Sequence, residues 1–567
     1  NNLGLADSII IAGFFVVMLC IGIYYAGQMR DLKTYFSGGR QVPWWLSGVS
    51  LYVSSFSAFT FVAYSELAYK YGMLAVTIWW LMVPCILISA QFFAARWRRT
   101  ASTSPLEYIE TRFGLSLRQG LAWLGVPLIT IDDGLKLFAL GTLVSVSFGF
   151  DLMLAIYLSA GVLLAYTFMG GLWAVLVTDF VQFVILLTAV IVLVPLALAR
   201  VGGMQGFVDH LPHGFFRPVG GNYTWYYILA FVLVQVCAYS TKWSYVQRYY
   251  SVRSDSDARK VGYLVAFLTF VGPVIFFLPP MAARAFLPPV TDTKNVYALL
   301  CNVLLPSGMK GLLIAAMFSA TMSALSGDFN AVAAVVTKDI YQRLFATNYS
   351  ERSLVNVGRL ATLLAGLIAL GVAVSITLLG GRSDLFTYMA SLFGILMPPM
   401  AIPMMFGLIS RKISAAGGLS GFLAGSAAGL IAFILSFTLG ASHLRDVTYM
   451  AWITTIPTLG AMFLVTHFRP NTPSQQERIQ GFLSGLAPDG LDDARAATDE
   501  EAVSSPLRLI GLAVGSLGVL VVLAVLLFVP SGGRLVTLVV GSAMAGLGFV
   551  LSVGSHAHTQ RRTGLRL

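Results

Sequence analysis

Apolar residues run along this chain in long blocks separated by short charged stretches, and there are about fifteen such blocks. They fall near residues 7–27, 43–68, 72–96, 118–148, 151–169, 172–199, 224–247, 259–287, 309–338, 355–380, 384–409, 416–440, 447–467, 507–529 and 534–553, numbered helices 1 to 15 in that order. Most of them are near or above the ~20 apolar residues that carry a helix across a hydrocarbon core. The expected class is an all-α polytopic membrane protein with about 15 transmembrane helices, and an odd number of crossings puts the termini on opposite faces. One stretch departs from the pattern. Residues 468–506 form the only long polar insertion, which reads as a flexible cytoplasmic segment whose acidic end is a solvated linker.

Composition agrees: 57% hydrophobic residues, 11% charged residues and a mean hydropathy of +0.80 exclude an ordinary soluble protein. The net charge of +11 could indicate nucleic acid. Its distribution argues against that, because the basic residues lie in short loops that alternate onto one face: Arg30, Lys33 and Arg40, then Arg96 to Arg118, Arg248 to Lys260, Lys338 to Arg352, and Arg411 with Lys412. That face is expected to be cytoplasmic, with Arg561 and Arg562 of the tail, so the amino terminus is outside a cell (inner) membrane. The first apolar run is long enough to span and lacks a basic start, so it is expected to stay in the mature protein. Cys20, Cys85, Cys237 and Cys301 lie singly and read as packing residues. No nucleotide loop, zinc motif or histidine constellation appears, which argues against an ATP-driven pump or an enzyme and implies no cofactor.

The candidate chemistry is polar residues at membrane depth, where hydrocarbon offers no partner. Helix 9, within Gly311–Tyr341, carries Ser319, Thr321, Ser323, Ser326, Asp328 and Asn330 and closes on the sequence TKDIY. Close helix packing by small residues is the plain alternative. Helix 2 is approached through YFSGGRQVPWW and holds Ser50, Ser54, Ser55, Ser57 and Thr60. Helix 6 opens GGLWAVLVTDFVQF, with Gly170 and Gly171 as a cytoplasmic turn and Asp179 as an acid in an apolar run, either functional or bridging helices. Helix 4 contains Asp132, Asp133 and Lys136, spaced for one ion pair on a helix face. One carboxylate is left over, and it is open to protonation, to Lys242 of helix 7, or to a cationic group of a substrate. Helix 7 offers Gln235, Tyr239, Lys242 and Trp243, and helix 11 has Pro398, Pro399 and Pro403, which would bend it.

With these motifs, residues 7–467 resemble the sodium/solute symporter family, whose members carry sugars, proline, sialic acid, iodide and vitamins. The resemblance implies a five-plus-five inverted-repeat (LeuT-like) core with discontinuous helices. Its parts would be a peripheral helix 1 with its loop (1–42), the two repeats (43–199 and 224–412), peripheral helices 12–13 (413–467), the polar loop (468–506), and helices 14–15 with the tail (507–567). By position, the carbonyls of Val53, Phe56 and Ala320 and the hydroxyl of Ser323 would hold sodium. Many members have a second hydroxyl where this chain has Ala324. Asp179, Ser326 and Asp328 mark a possible second cation site. Ser55, Ser57, Thr60, Asp132, Asp133, Lys136, Gln235 and Lys242 would face substrate, and Tyr239 or Trp243 would gate it. Helix 2 has neither Gly nor Pro at the implied break.

The resulting expectation is sodium-coupled symport of a small organic solute by alternating access, with no nucleic acid and no identified protein partner. Two other classes stay open: a proton-coupled or uncoupled carrier using Asp132, Asp133 or Asp179, and a transporter-like sensor signalling through residues 468–506.

Overall fold

The computed structural model describes residues 4–27, 32–57, 60–218, 224–288, 296–345, 350–378, 385–487, 506–530 and 534–563, together with positions 290 and 293. Arg30 and the acidic stretch 488–505 lie outside the described residues. Among the described residues ten helices are long and apolar enough to cross a membrane, and Leu152–Ala165, Trp225–Thr241 and Phe393–Ile409 are shorter apolar helices.

Helix 9 is the axis. It spans Met309–Val335 and continues as a wider coil over Val336–Gln342. In its most apolar stretch 94% of residues are buried, against 28–56% in the other long helices, so those helices pack around it. Its small residues allow that close approach. Ser319 and Thr321 donate to Ala315 O and Met317 O of their own helix, at 2.7 and 3.4 Å, and thereby serve packing.

Both ends of helix 9 are tied down. At its start, Asp7 Oδ1 of helix 1 accepts the amides of Gly308 and Gly311, each at 2.7 Å. These are donors that a helix start leaves without a partner, and the carboxylate sits at the positive end of the helix dipole. The approach requires Gly311, because a Cβ there would meet the Asp7 backbone at 2.6 Å. At the other end the buried Asp339 of TKDIY receives Arg118 at 2.6 Å and the hydroxyl of Ser104, while Gln119 Nε2 donates to its carbonyl at 2.7 Å. Asp7→Ala is expected to lower the thermal unfolding midpoint by the equivalent of about 1–2 kcal/mol, with Asp7→Asn in between; a midpoint equal to the parent's in detergent would show that the cap contributes nothing.

Among the described residues two helices are broken, one at the head of each group of five. Helix 2 consists of Trp44–Val53 and Ser65–Tyr71, joined through residues 54–57 and a wide turn at Thr60–Tyr64. The break the resemblance implied is therefore present without Gly or Pro. Short-range bonds replace the helical ladder: Phe56 N donates to Val53 O at 2.9 Å, Ser55 Oγ to Tyr52 O at 2.5 Å and Ser57 N to Thr60 Oγ1 at 3.2 Å. Helix 7 runs over Trp225–Thr241, turns at Lys242 (φ −57, ψ 125) and resumes over Trp243–Tyr250. The carbonyls of Tyr239 and Ser240 lose their helical partners there, and helix 3 supplies new ones through Ser89 Oγ and Trp97 Nε1, both at 2.7 Å. Irregular backbone survives at membrane depth only when it is satisfied in this way.

Elsewhere the same accounting explains the motifs. Gly171 turns the chain between helices 5 and 6 at φ +56, and a Cβ there would lie 2.9 Å from the carbonyl of Tyr35 in the YFSGGR stretch. Helix 11 continues as a helix through its three prolines over Leu385–Ile409. Pro398 has no N–H for Gly394 O, and Thr454 Oγ1 of helix 13 donates to that carbonyl at 3.0 Å.

The polar insertion corrects an expectation. Its first part is not a flexible segment but a helix, Pro473–Gly485, capped by Thr472 and Gln475 with Pro at its start. Ile479 is buried, the Phe482 ring stacks on Tyr108 at 6.0 Å, and Arg99 Nη1 donates to Leu486 O at 2.6 Å. The cap sequence TPSQ was readable, but it was outweighed by the polarity of the surrounding loop.

Candidate ion and substrate site

Two buried polar centres flank helix 9. The first joins it to the broken part of helix 2. Ser323 Oγ lies 3.3 Å from Ser54 Oγ, and the regular helix ends at Val53, so Val53 and Phe56 sit at the start of the irregular segment, where Phe56 N donates to Val53 O. Ala320 is buried one turn before Ser323. Of the expected sodium ligands, the structure brings Ser323 against the start of the helix-2 break. Ala324, also buried, contributes no side-chain oxygen.

Next to that region is a residue the sequence placed among the loop cations. Arg248 is fully buried, not a cytoplasmic loop residue. Its Nε donates to Ser50 Oγ at 3.1 Å, its Nη2 to Ser54 Oγ at 3.4 Å, and its Nη1 to Ser244 O at 2.8 Å. Asp179 Oδ2 accepts from Ser50 Oγ at 2.5 Å and pairs with Arg248 Nη2 at 3.5 Å. Asp179 therefore bridges helices 2, 6 and 7. Asp328 is held elsewhere, by Lys136 and Lys242, while Ser326 Oγ donates to Ser323 O at 3.2 Å. Asp179 and Asp328 thus pair with different cationic side chains, Arg248 for the first and Lys136 with Lys242 for the second.

The second centre lies between helices 4, 7 and 9. Lys136 Nζ is 2.7 Å from Asp132 Oδ2, 2.8 Å from Asp133 Oδ1 and 2.8 Å from Asp328 Oδ2, and Lys242 Nζ is 3.1 Å from Asp328 Oδ2. One ammonium has three donors, and all three are used. The oxygens of the three acids lie within 4.8 Å of one another, a spacing that could suit a metal ion, but the Lys136 ammonium takes the central place. Lys242 also sits 4.7 Å from the Tyr245 ring centre. So Lys136 serves both helix-4 acids, and Lys242 meets an acid of helix 9, not of helix 4. Three carboxylates face two ammonium groups, which leaves one negative charge in excess. Asp132 Oδ1 and Asp133 Oδ2 are buried without a hydrogen-bond partner.

A narrow cavity of about 20 Å³, room for about one water, lies beside this network. Helix 4 lines it with Ile129 and Asp132, the helix-7 break with Thr241, Lys242 and Trp243, and helix 11 with Phe393, Met397, Met400 and Met404. Ser55, Ser57 and Thr60 are on the helix-2 break and do not line it, and neither does Gln235, which precedes the helix-7 break. Of the two gate candidates, Trp243 borders the cavity with an unpartnered indole N–H, whereas Tyr239 packs behind it with its ring 5.3 Å from that of Tyr245. The methionine wall was missed in the sequence, where only the prolines of helix 11 drew attention.

A helical bundle whose two broken helices meet an unbroken one around buried polar centres has the construction of a secondary transporter. The comparisons define it further. The profile described as "Sodium:solute symporter family" matches residues 35–425, and the chain belongs to that family, which makes it a membrane transporter and not an enzyme. The "Sodium/glucose cotransporter" of Vibrio parahaemolyticus is 26% identical over 456 residues, covering 74% of this chain and 83% of its own length. The "Sodium/sialic acid symporter SiaT" of Proteus mirabilis is 25% identical over 436 residues, covering 74% and 88%. A solved structure of a Na+-coupled sialic acid symporter superposes with a TM-score of 0.74 at 23% identity, covering 82% of this chain and 98% of its own, and it shares the inverted-repeat fold.

Proposed function

We propose that this protein couples the inward movement of one sodium ion to uptake of a small organic solute by alternating access. The observation that carries this reading is the contact of Ser323 on the unbroken helix 9 with Ser54 at the broken end of helix 2. Sodium is a hard cation that needs several oxygens. Carbonyls of Val53 and Phe56 with Ala320 O and Ser323 Oγ supply a set drawn from both helices, and water replaces the oxygen that Ala324 lacks. Binding then orders helix 2 against helix 9, and the cavity at the helix-7 break receives the solute. Arg248 neutralises Asp179 beside the ion, which limits the sodium count to one. The amino terminus lies outside and the carboxyl terminus in the cytoplasm, a reading supported by the loop arginines and lysines.

The test is thermal unfolding of the detergent-purified protein in sodium, potassium and choline chloride at matched ionic strength. Sodium is expected to raise the midpoint by mass action, and Ser323→Ala to abolish that rise. Equal midpoints in all three salts, or a sodium rise retained in Ser323→Ala, would remove the ion site from these residues.

One observation favours a second reading. The excess carboxylate of the Lys136 network could carry a proton, which makes a proton-coupled carrier the alternative. Uptake that follows a pH gradient in sodium-free buffer and is lost in Asp133→Asn would favour it.

A further inference from the structure

We propose that the cavity at the helix-7 break, about 20 Å³ in this structure, widens during alternating access to take a protonated amine: an organic monocation with an apolar body and one oxygen able to accept a hydrogen bond. The inference rests on the symporter reading and names the cargo class for the same site.

Three independent features converge. The first is charge. Asp132, Asp133 and Asp328 against Lys136 and Lys242 leave the network one positive charge short of neutrality in a medium where an unbalanced charge is costly. A monocation completes it, a neutral solute leaves it unbalanced, and an anion doubles the imbalance. The second is hydrogen bonding. Among the residues lining the cavity, Asp132 is 4% exposed with an unpartnered Oδ1, and Trp243 is 2% exposed with an unpartnered Nε1. An acceptor oxygen of a carboxylate calls for an N–H donor, so an amine with at least one hydrogen fits better than a quaternary ammonium. The indole N–H calls for an acceptor such as a hydroxyl or carbonyl. The third is the wall. Phe393 and three methionines present polarisable apolar surface with few polar groups, which suits an aromatic or aliphatic body. A polyhydroxylated solute would find too few partners there. Lys242 does not reverse this preference, because its ammonium already meets Asp328 and the face of Tyr245.

Three probes of one shape but different charge test this: tyramine, its neutral analogue tyrosol, and para-hydroxyphenylacetate. Each is titrated against the full-length purified protein in sodium and in potassium, with the unfolding midpoint as the readout. In sodium, tyramine is expected to act at concentrations roughly ten- to a hundredfold below tyrosol, the difference made by a hydrogen bond to a charged group, and the carboxylate to have no effect. Asp132→Asn should erase the preference. If that variant does not fold, Trp243→Phe decides: the parent's preference for tyramine over phenethylamine, about three- to tenfold for a neutral hydrogen bond, should vanish. Tyrosol or the carboxylate matching tyramine, no response to tyramine, or either folded variant keeping its preference would overturn the cargo class. Failure of the underlying reading looks different. A sodium-specific rise without a tyramine response removes only the cargo class, whereas tyramine acting equally in sodium and potassium keeps the class and removes the coupling.

Discussion

Lys136→Met is expected to leave little folded protein. The ammonium sits 2.7–2.8 Å from three carboxylates on two helices, and methionine keeps the volume while removing all three partners. Only Lys242 would remain to balance Asp132, Asp133 and Asp328. Breaking one buried pair typically costs about 3–5 kcal/mol, because the surviving charge is left uncompensated. Against a total stability of about 5–15 kcal/mol that is enough to unfold many domains. The yield of monodisperse protein in gel filtration and the unfolding midpoint should both collapse. Adding Asp133→Asn to the same chain removes one stranded charge and should recover part of the loss, which a purely steric defect would not allow. A Lys136→Met protein with the parent's yield and midpoint would mean that the acids are held neutral by other means.

Arg248→Gln is expected to be nearly as severe, and it should also alter the response to sodium. The guanidinium reaches Ser50 and Ser54 on helix 2, Ser244 O on helix 7 and Asp179 on helix 6 with no exposed surface. Glutamine strands the Asp179 carboxylate at a cost of about 3–5 kcal/mol. Arg248→Lys restores a charge but not the planar fork that spans two serines and an acid, so it should fold while positioning Ser54 poorly. Since Ser54 is 3.3 Å from Ser323, the sodium concentration giving half of the maximal stabilisation should rise in Arg248→Lys. Asp179→Asn combined with Arg248→Gln should recover much of the folding loss. An unchanged sodium midpoint in Arg248→Lys would separate this arginine from the ion site.

These two residues also mark how far the sequence could be read. Hydropathy located the helices because each must satisfy its own backbone in lipid and so appears as a long apolar block. The TKDIY and GGLWAVLVTDFVQF stretches led to the fold because their Gly and Asp positions are tied to turns and helix ends, as Gly171 and Asp339 illustrate. Arg248 was misread for a physical reason. It closely follows a membrane segment, where a basic residue usually marks the cytoplasmic edge, and only the break at Lys242 shows that the second half of helix 7 remains inside the protein. Gln235 was implied by the resemblance alone, which could not show that the break falls at Lys242, seven residues further on. The spacing of Asp132, Asp133 and Lys136 predicted an ion pair, but helix-face geometry could not reveal that Asp328 arrives from a helix about 190 residues later in the chain. The helix at Pro473–Gly485 was hidden because its own sequence is polar and its stability depends on a dock supplied by Tyr108 and Arg99.

The anchoring of helix 9 at Asp7 and at Asp339 has a mechanical consequence. A rod pinned at both ends behaves as a stator: it cannot tilt without breaking buried charged contacts at one end or the other. The strokes of the transport cycle must then fall to the hinged pieces of helices 2 and 7. The sodium ion of the proposed cycle, held between Ser323 and the helix-2 break, would join a fixed part to a moving one and work as a clutch, transmitting force when present and letting the hinge slip when absent.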